Sequence, residues 1–253
     1  ELDRQWRGIQ SEAIPAMTGF QSRELSGAPI GNPVVFYPFS GPDALFVRVL
    51  FPRSPTYVMV GLEPPGTLPA PDRLARKDLG RYLAAVRSSV YSELHRSFFI
   101  TRQMDREFRG QLSDGLLPAI LHLLARTGHT IDGYRYVQLD LEGRVAERVP
   151  GREAPAGAPG NRGVEIGFRA DADQTAHKLF YFSSNLSDAR LRKNEPFLRF
   201  LSTLRGMTTY LKATSYMPHH KEFSILRRQV LDGSAAILQD DSGIPYRFFD
   251  PAA

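Results

Sequence analysis

Four apolar stretches of this chain end in residues able to bind or transfer charge. Ser40, Gly41 and Asp43 follow "VVFYPF", and Glu63 closes "TYVMVGLE". His219 and His220 follow "TTYLKATSYM", and Asp240, Asp241 and Ser242 follow "AAILQ". If those stretches are strands of an open α/β sheet, these side chains share its carboxyl edge, where such sheets bind ligands. Neighbouring carboxylates at Asp240 and Asp241 could hold a hard cation such as Mg²⁺ or Ca²⁺. One of them could instead act as a general base if burial raised its pKa.

Each candidate has a plainer reading. "LQDDSGIP" is also the composition of an Asx-turn closed by Gly243. Successive residues of an extended chain point to opposite sides, so one of the two carboxylates faces any given site. Ser40-Gly41-Pro42-Asp43 can be a ligand turn, because a helix N-terminus offers unpaired N–H groups and a positive dipole end. It also fits a capping box in which Ser40 caps, Pro42 starts the helix and Asp43 reaches back. Glu63, 22 residues past Gly41, stands where a carboxylate holds a ribose hydroxyl in dinucleotide and adenosyl sites. His220 could ligate metal or shuttle a proton, or simply cap a helix. No G-x-G-x-x-G, G-K-[ST], H-E-x-x-H or G-x-S-x-G pattern accompanies these residues.

The elements that must position them are legible from periodicity. "VVFYPF" and "TYVMVGLE" are apolar throughout, as strands covered on both faces are. Between them "DALFVRVLF" is a short helix stopped by Pro52. Leu79, Leu83, Val86 and Val90 recur at helical spacing and predict one buried face. "SDGLLPAILHLLARTG" predicts a helix capped by Ser113 and ended by Gly128, and "YRYVQLDLEG" a strand. "VEIGFRA" and "HKLFYFSSN" around "DADQTA" predict an antiparallel hairpin. "FLRFLSTLRG" and "HKEFSILRRQVLDG" are expected as helices, and "TTYLKATSYM" and "SAAILQ" as strands. The aromatic stretches, "FYPF" among them, read as core.

The expected fold is α/β: a single domain over 33–253 with a mostly parallel mixed sheet, helices on both faces and a Rossmann-like start. Residues 1–32, rich in Pro and Gly, are expected as a lead-in of short helical turns and loops. The Gly/Pro/Ala-rich stretch 149–163 predicts a mobile surface loop.

Bulk properties narrow the class. With 42% hydrophobic residues and 16 Phe, the chain has material for a large core. The net charge of +5 is spread along it without a run of five like charges. That favours a solvated basic surface over nucleic-acid binding. The absence of Cys excludes disulfides, thiolate catalysis and Cys-ligated zinc. Apolar runs are too short for a membrane-spanning helix, so the chain reads as a soluble domain. Lack of Cys and of an initiator Met leans the expectation toward an exported protein, with a cytoplasmic one as the alternative.

Together, "VVFYPFSGPDALF", "YVMVGLEP" and "LQDDSGIPYRFF" resemble a family of uncharacterised bacterial proteins, over about Pro33 to Phe249. That resemblance brings no activity, cofactor or site residue. The order strand, turn, helix, strand, acid also resembles the start of adenosylmethionine-dependent methyltransferases. The chain departs from them in its short first helix and missing glycine-rich loop.

Three functions follow as expectations. One is an enzyme acting on a small polar or anionic substrate, metal-assisted hydrolysis being one form. There Asp240, Asp241 and His220 are catalytic, Asp240 and Asp241 hold the cation, and Ser40, Gly41, Asp43 and Glu63 bind the ligand. Another is a Rossmann-like adenosyl- or nucleotide-binding protein that uses Glu63. The third is a non-catalytic exported or envelope protein whose acidic turn is structural.

Overall fold

The computed structural model describes residues 2–26, 33–68, 79–80, 82–84, 86, 115–148, 161–212, 218 and 220–239. The middle of its parallel strands is β1 (Val34–Pro38), flanked on both sides by parallel partners. On one side lies β2 (Thr56–Gly61), reached through the short helix α3 (Ala44–Leu50). On the other lies β7 (Met207–Leu211), followed by α7 (Ser224–Gly233) and the parallel edge strand β8 (Ser234–Gln239). Beyond β2 comes β6 (Ala176–Ser183), also parallel. The sheet then turns antiparallel through β5 (Arg162–Ala170), β3 (His129–Leu139) and β4 (Val145–Glu147). The full order is β4-β3-β5-β6-β2-β1-β7-β8. It is a mixed α/β sheet, as its alternation of apolar strands and helices predicts.

Why β1 and β2 lack an alternating pattern is now plain. Val35, Tyr37, Tyr57 and Met59 face one apolar cluster, while Phe36, Val58 and Val60 face another. The first cluster is roofed by α3 and by α4 (Leu117–Arg126), which contributes Leu117, Ile120, Leu123 and Leu124. The second is covered by α5 (Asp188–Leu191), α6 (Glu195–Thr203) and α7, through Leu191, Phe197, Phe200, Leu201, Leu226 and Val230. Asp188 of α5 accepts hydrogen bonds from the Ser224 hydroxyl (2.5 Å) and the Ile225 N–H (2.9 Å), so one helix caps the start of another.

Three local expectations change. Over Leu2–Leu25 the lead-in is an unbroken helical run rather than turns and loops; residues 27–32 lie outside the described residues. The run comprises α1 (Leu2–Gly8), a π turn (Ile9–Ala13), α2 (Ile14–Phe20) and a second π turn (Gln21–Leu25). Pro15 lacks an N–H and would crowd the carbonyl one turn back; the widened turn before it accommodates both defects. Trp6, Ile9 and Leu25 bury themselves in the first cluster. The helical positions near residue 80 keep only part of the expected face: Val86 is buried as expected, but Leu79 and Leu83 are exposed and Tyr82 is partly buried. Tyr82 and Val86 are four apart, so a helical stripe exists, set one position round from the leucines. The helix ending near Gly128 begins at Leu117 with Leu116 as its cap residue. Ser113, Val90 and residues 149–160 lie outside the described residues. No helix among the described residues is long and apolar enough to cross a membrane.

The second cluster rests on Phe182, whose ring meets Phe197 at 6.2 Å and Phe200 at 5.1 Å between centroids. Phe182→Ala is expected to cost about 3–5 kcal/mol of stability, read by urea unfolding. A loss under ~1 kcal/mol would mean that the helices on this face do not close over β6 as described.

Candidate functional site

From β1 the chain steps outward to β2 and β6, then crosses back to β7 and β8. The parallel strands therefore run third, second, first, fourth, fifth, and the order reverses between β1 and β7. In a doubly wound sheet the connections leaving two such strands go to opposite faces, which opens a crevice at their carboxyl ends. Tyr37 and Asp43 come to this place from β1 and its turn, and Lys212 from the residue after β7.

Asp43 is the junction. It is the N-cap of α3, and its Oδ1 accepts the Phe46 N–H at 3.1 Å. Its Oδ2 accepts the Tyr37 hydroxyl at 2.8 Å and the Lys212 ammonium at 2.6 Å. The side chains of Lys212 and Asp43 are 5% and 2% exposed, so the ion pair is removed from water. Lys212 Nζ also stands 3.3 Å from the centroid of the Phe46 ring, against its negative face. Tyr37 is held from behind by Tyr210 of β7, ring centroids 4.8 Å apart.

The turn that carries Asp43 here is tight. Phe39 and Gly41 both have left-handed backbone, φ 60° and φ 52°. Glycine adopts this freely, whereas for Phe39 it is a strained conformation held by its surroundings. The Phe39 ring packs edge-on against Phe223 at 5.4 Å. The Ser40 N–H donates to the Val60 carbonyl at 2.8 Å, folding the turn over the end of β2. The Ser40 hydroxyl lies 3.0 Å from the Gly41 carbonyl and 3.3 Å from that of Val60, both acceptors for its single proton. So Asp43 takes the capping role that local sequence suggests for Ser40, and Pro42 precedes the cap instead of starting the helix.

The remaining candidates distribute as follows. Glu63 lies two residues beyond β2, half-buried, and its carbonyl accepts the Tyr181 hydroxyl at 2.8 Å. Burial, and then the Glu63 charge, push the Tyr181 phenol well above its ordinary pKa. A Cβ on Gly61 would stand 2.5 Å from that phenolic oxygen and 3.1 Å from Glu63 Oε2, so only glycine fits between them. His220 is exposed and opens the 3₁₀ turn Lys221–Phe223, whose Phe223 meets Phe39. That turn thereby adjoins the one after β1. β8 ends at Gln239, in register with Leu211. Asp240 and Asp241 lie outside the described residues, as does His219. Among the described residues no three His, Asp or Glu side chains come together in the way a metal ion requires.

The sequence reading passes over Tyr37 and Lys212. Both carry a signal in retrospect: a hydroxyl within a strand buried on both faces, and an ammonium directly after another such strand. Neither can be left unpaired in a dry interior. Comparison of the chain with family models, with curated proteins and with solved structures found no match.

Removing one member of a buried pair strands the other. Lys212→Ala is expected to lower stability by about 3–5 kcal/mol, and pairing Lys212→Met with Asp43→Asn to recover most of that. Urea unfolding of the variants decides it. Equal, small losses in single and double variants would show the pair to be solvated.

Proposed function

We propose that this chain is an enzyme acting on a small anionic or polar substrate in the crevice between the carboxyl ends of β1 and β7. The supporting observation is the buried Asp43–Lys212 pair, joined by Tyr37, at the point where strand order reverses. A buried ion pair is a poor source of stability compared with apolar residues of the same volume, so its presence calls for another reason. Charged groups held away from water at a cleft are the usual working parts of active sites.

In this reading Lys212 supplies the positive charge that attracts the substrate's anionic group. Asp43 holds that ammonium in place, and Tyr37 completes a hydrogen-bonded line along which a proton can pass. The chain continues from β8 into Asp240 and Asp241. A divalent cation held by them would make the reaction a metal-assisted hydrolysis, with His220 as a proton carrier on the same edge.

One observation favours a second reading, a Rossmann-like adenosyl- or nucleotide-binding protein. The parallel strands have the doubly wound order, and Glu63 follows the second of them, where a ribose is held in such sites. A thermal-shift series separates the two. Inorganic phosphate, pyrophosphate, adenosylhomocysteine and Mg²⁺ are added to the parent, to Lys212→Met and to Glu63→Gln. A bound probe at a hundredfold excess over its Kd should raise Tm by roughly 5–10 °C. The leading reading expects that rise with a phosphate probe, lost in Lys212→Met and kept in Glu63→Gln. A rise with adenosylhomocysteine alone, lost in Glu63→Gln, supports the second reading and overturns the first.

A further inference from the structure

At the other end of α3 lies a second buried charge with a different kind of partner. Arg48, in the last turn, is 4% exposed. Its guanidinium donates to the Pro52 carbonyl at 3.1 Å, to the Tyr57 hydroxyl, and to His129 at the start of β3. Nε and Nη2 reach the same imidazole atom, His129 Nε2, at 3.2 and 2.7 Å. Arginine has donors and no acceptor. Nε2 must therefore present its lone pair, and the ring proton sits on Nδ1. That nitrogen is 3.1 Å from the Leu124 carbonyl, near the end of α4, with the Thr127 hydroxyl also at 3.1 Å. The contacts thus require His129 to be neutral: an Nε2–H would point at two N–H groups.

The cluster extends to the neighbouring strands. His177, at the start of β6, has its Nδ1 2.8 Å from the Ser54 carbonyl and stacks on Phe168 of β5 at 5.3 Å. His129 meets the same Phe168 edge-on at 5.3 Å, and the two imidazoles are 6.4 Å apart. The Arg48 guanidinium lies over the rings of Tyr57 and Phe168. The ends of α3 and α4 and the adjoining parts of β2, β3, β5 and β6 meet here. This is where the antiparallel strands join the parallel ones, at the sheet edge opposite the crevice.

We propose that this cluster is an acid-released clasp. It holds α3 to the starts of β3 and β6 while His129 is neutral, and it opens when His129 takes a proton on Nε2. The charges that face the clasp all bear on this. Arg48 on α3 and His177 on β6 oppose a second positive charge, and the Tyr57 phenol on β2 is neutral and adds none to balance it. Asp171 and Asp173 in the turn between β5 and β6 favour protonation, but they are exposed and screened by water. The α4 side offers only neutral acceptors. Burial first, and then Arg48, hold His129 at about 4, below the ordinary histidine value of 6.5. Burial lowers His177 as well.

The sign follows directly. The folded clasp binds fewer protons than the open chain, so it is fully closed above about pH 6.5 and weakens as pH falls toward 4. The clasp is independent of the proposed reaction, and its test requires no substrate.

Two measurements on the full chain decide it. Imidazole ¹⁵N spectra report the tautomer and titration of His129. Hydrogen exchange, corrected for the intrinsic effect of pH, reports opening of residues 47–57, 128–132 and 175–179. Between pH 7.5 and 4.5 the parent should lose about ten- to a hundredfold of its protection in these segments. His129→Gln accepts from Arg48 through Oε1 and cannot be protonated, so its loss of protection in residues 47–57 and 128–132 should be several-fold smaller than the parent's, with His177 left to act on 175–179. An equal loss in His129→Gln overturns the clasp. If that variant does not fold, the spectra decide alone. A lone pair on Nε2 with titration well below pH 6.5 supports the clasp, whereas an Nε2–H at neutral pH or ordinary titration overturns it.

Discussion

Asp43 has two oxygens and three donors to satisfy, and the end of the sheet beside it is arranged around that requirement. One oxygen must reach the backbone of α3, which fixes where the helix starts. The other must lie between Tyr37 and Lys212, which fixes β1 against β7. Because the carboxylate is sealed from water, none of the three donors can be given up cheaply. The left-handed turn at Phe39 and Gly41 is the geometric consequence. Only a sharp reversal after β1 returns the chain far enough for Asp43 to meet a hydroxyl six residues earlier.

α3 is short for the work it does. A seven-residue helix has little stability of its own in water. Here it is pinned at both ends by buried polar groups, Asp43 at its start and Arg48 in its last turn. Leu45 and Val47 supply the apolar contact between them. The two ends differ in kind. At Asp43 a carboxylate meets an ammonium. At Arg48 a guanidinium meets a neutral imidazole, a pairing that requires one protonation state. One element thus links the crevice to a contact whose strength depends on pH.

The strands and helices were legible where burial imposes a period. β1, β2 and the β5–β6 hairpin stand close to where apolar runs and turn residues put them, and α7 lies within the stretch expected as a helix. Legibility failed where a local choice is settled by distant partners. Ser40 and Asp43 are both good capping residues, and the preference for Asp43 comes partly from Lys212, 169 positions away. Of the stripe expected at Leu79, Leu83 and Val86, Val86 is buried but the two leucines are exposed, and Tyr82 packs in their stead. In the lead-in, Gly8, Pro15 and Gly19 disguise a helix whose real signal is three anchors, Trp6, Ile9 and Leu25. Of the polar residues expected at the carboxyl edge, Ser40 and Asp43 follow β1 and Glu63 follows β2, while Asp240 and Asp241 lie outside the described residues. The most buried pair at that edge was only half visible, because a single Lys after a strand has no pattern until the fold supplies its carboxylate.

The central claim is that the crevice between β1 and β7 binds a ligand through the charge held there. The most direct measurement is an NMR titration of the parent protein with inorganic phosphate and pyrophosphate, following backbone amides and the Lys212 ammonium together. The account predicts saturable shifts confined to Tyr37–Phe46, Tyr210–Lys212 and the turn at His220–Phe223, with the Lys212 signal moving in step. Shifts that do not saturate, or that centre on the exposed strands β3 and β4, would contradict it and leave the Asp43–Lys212 pair a purely structural tie.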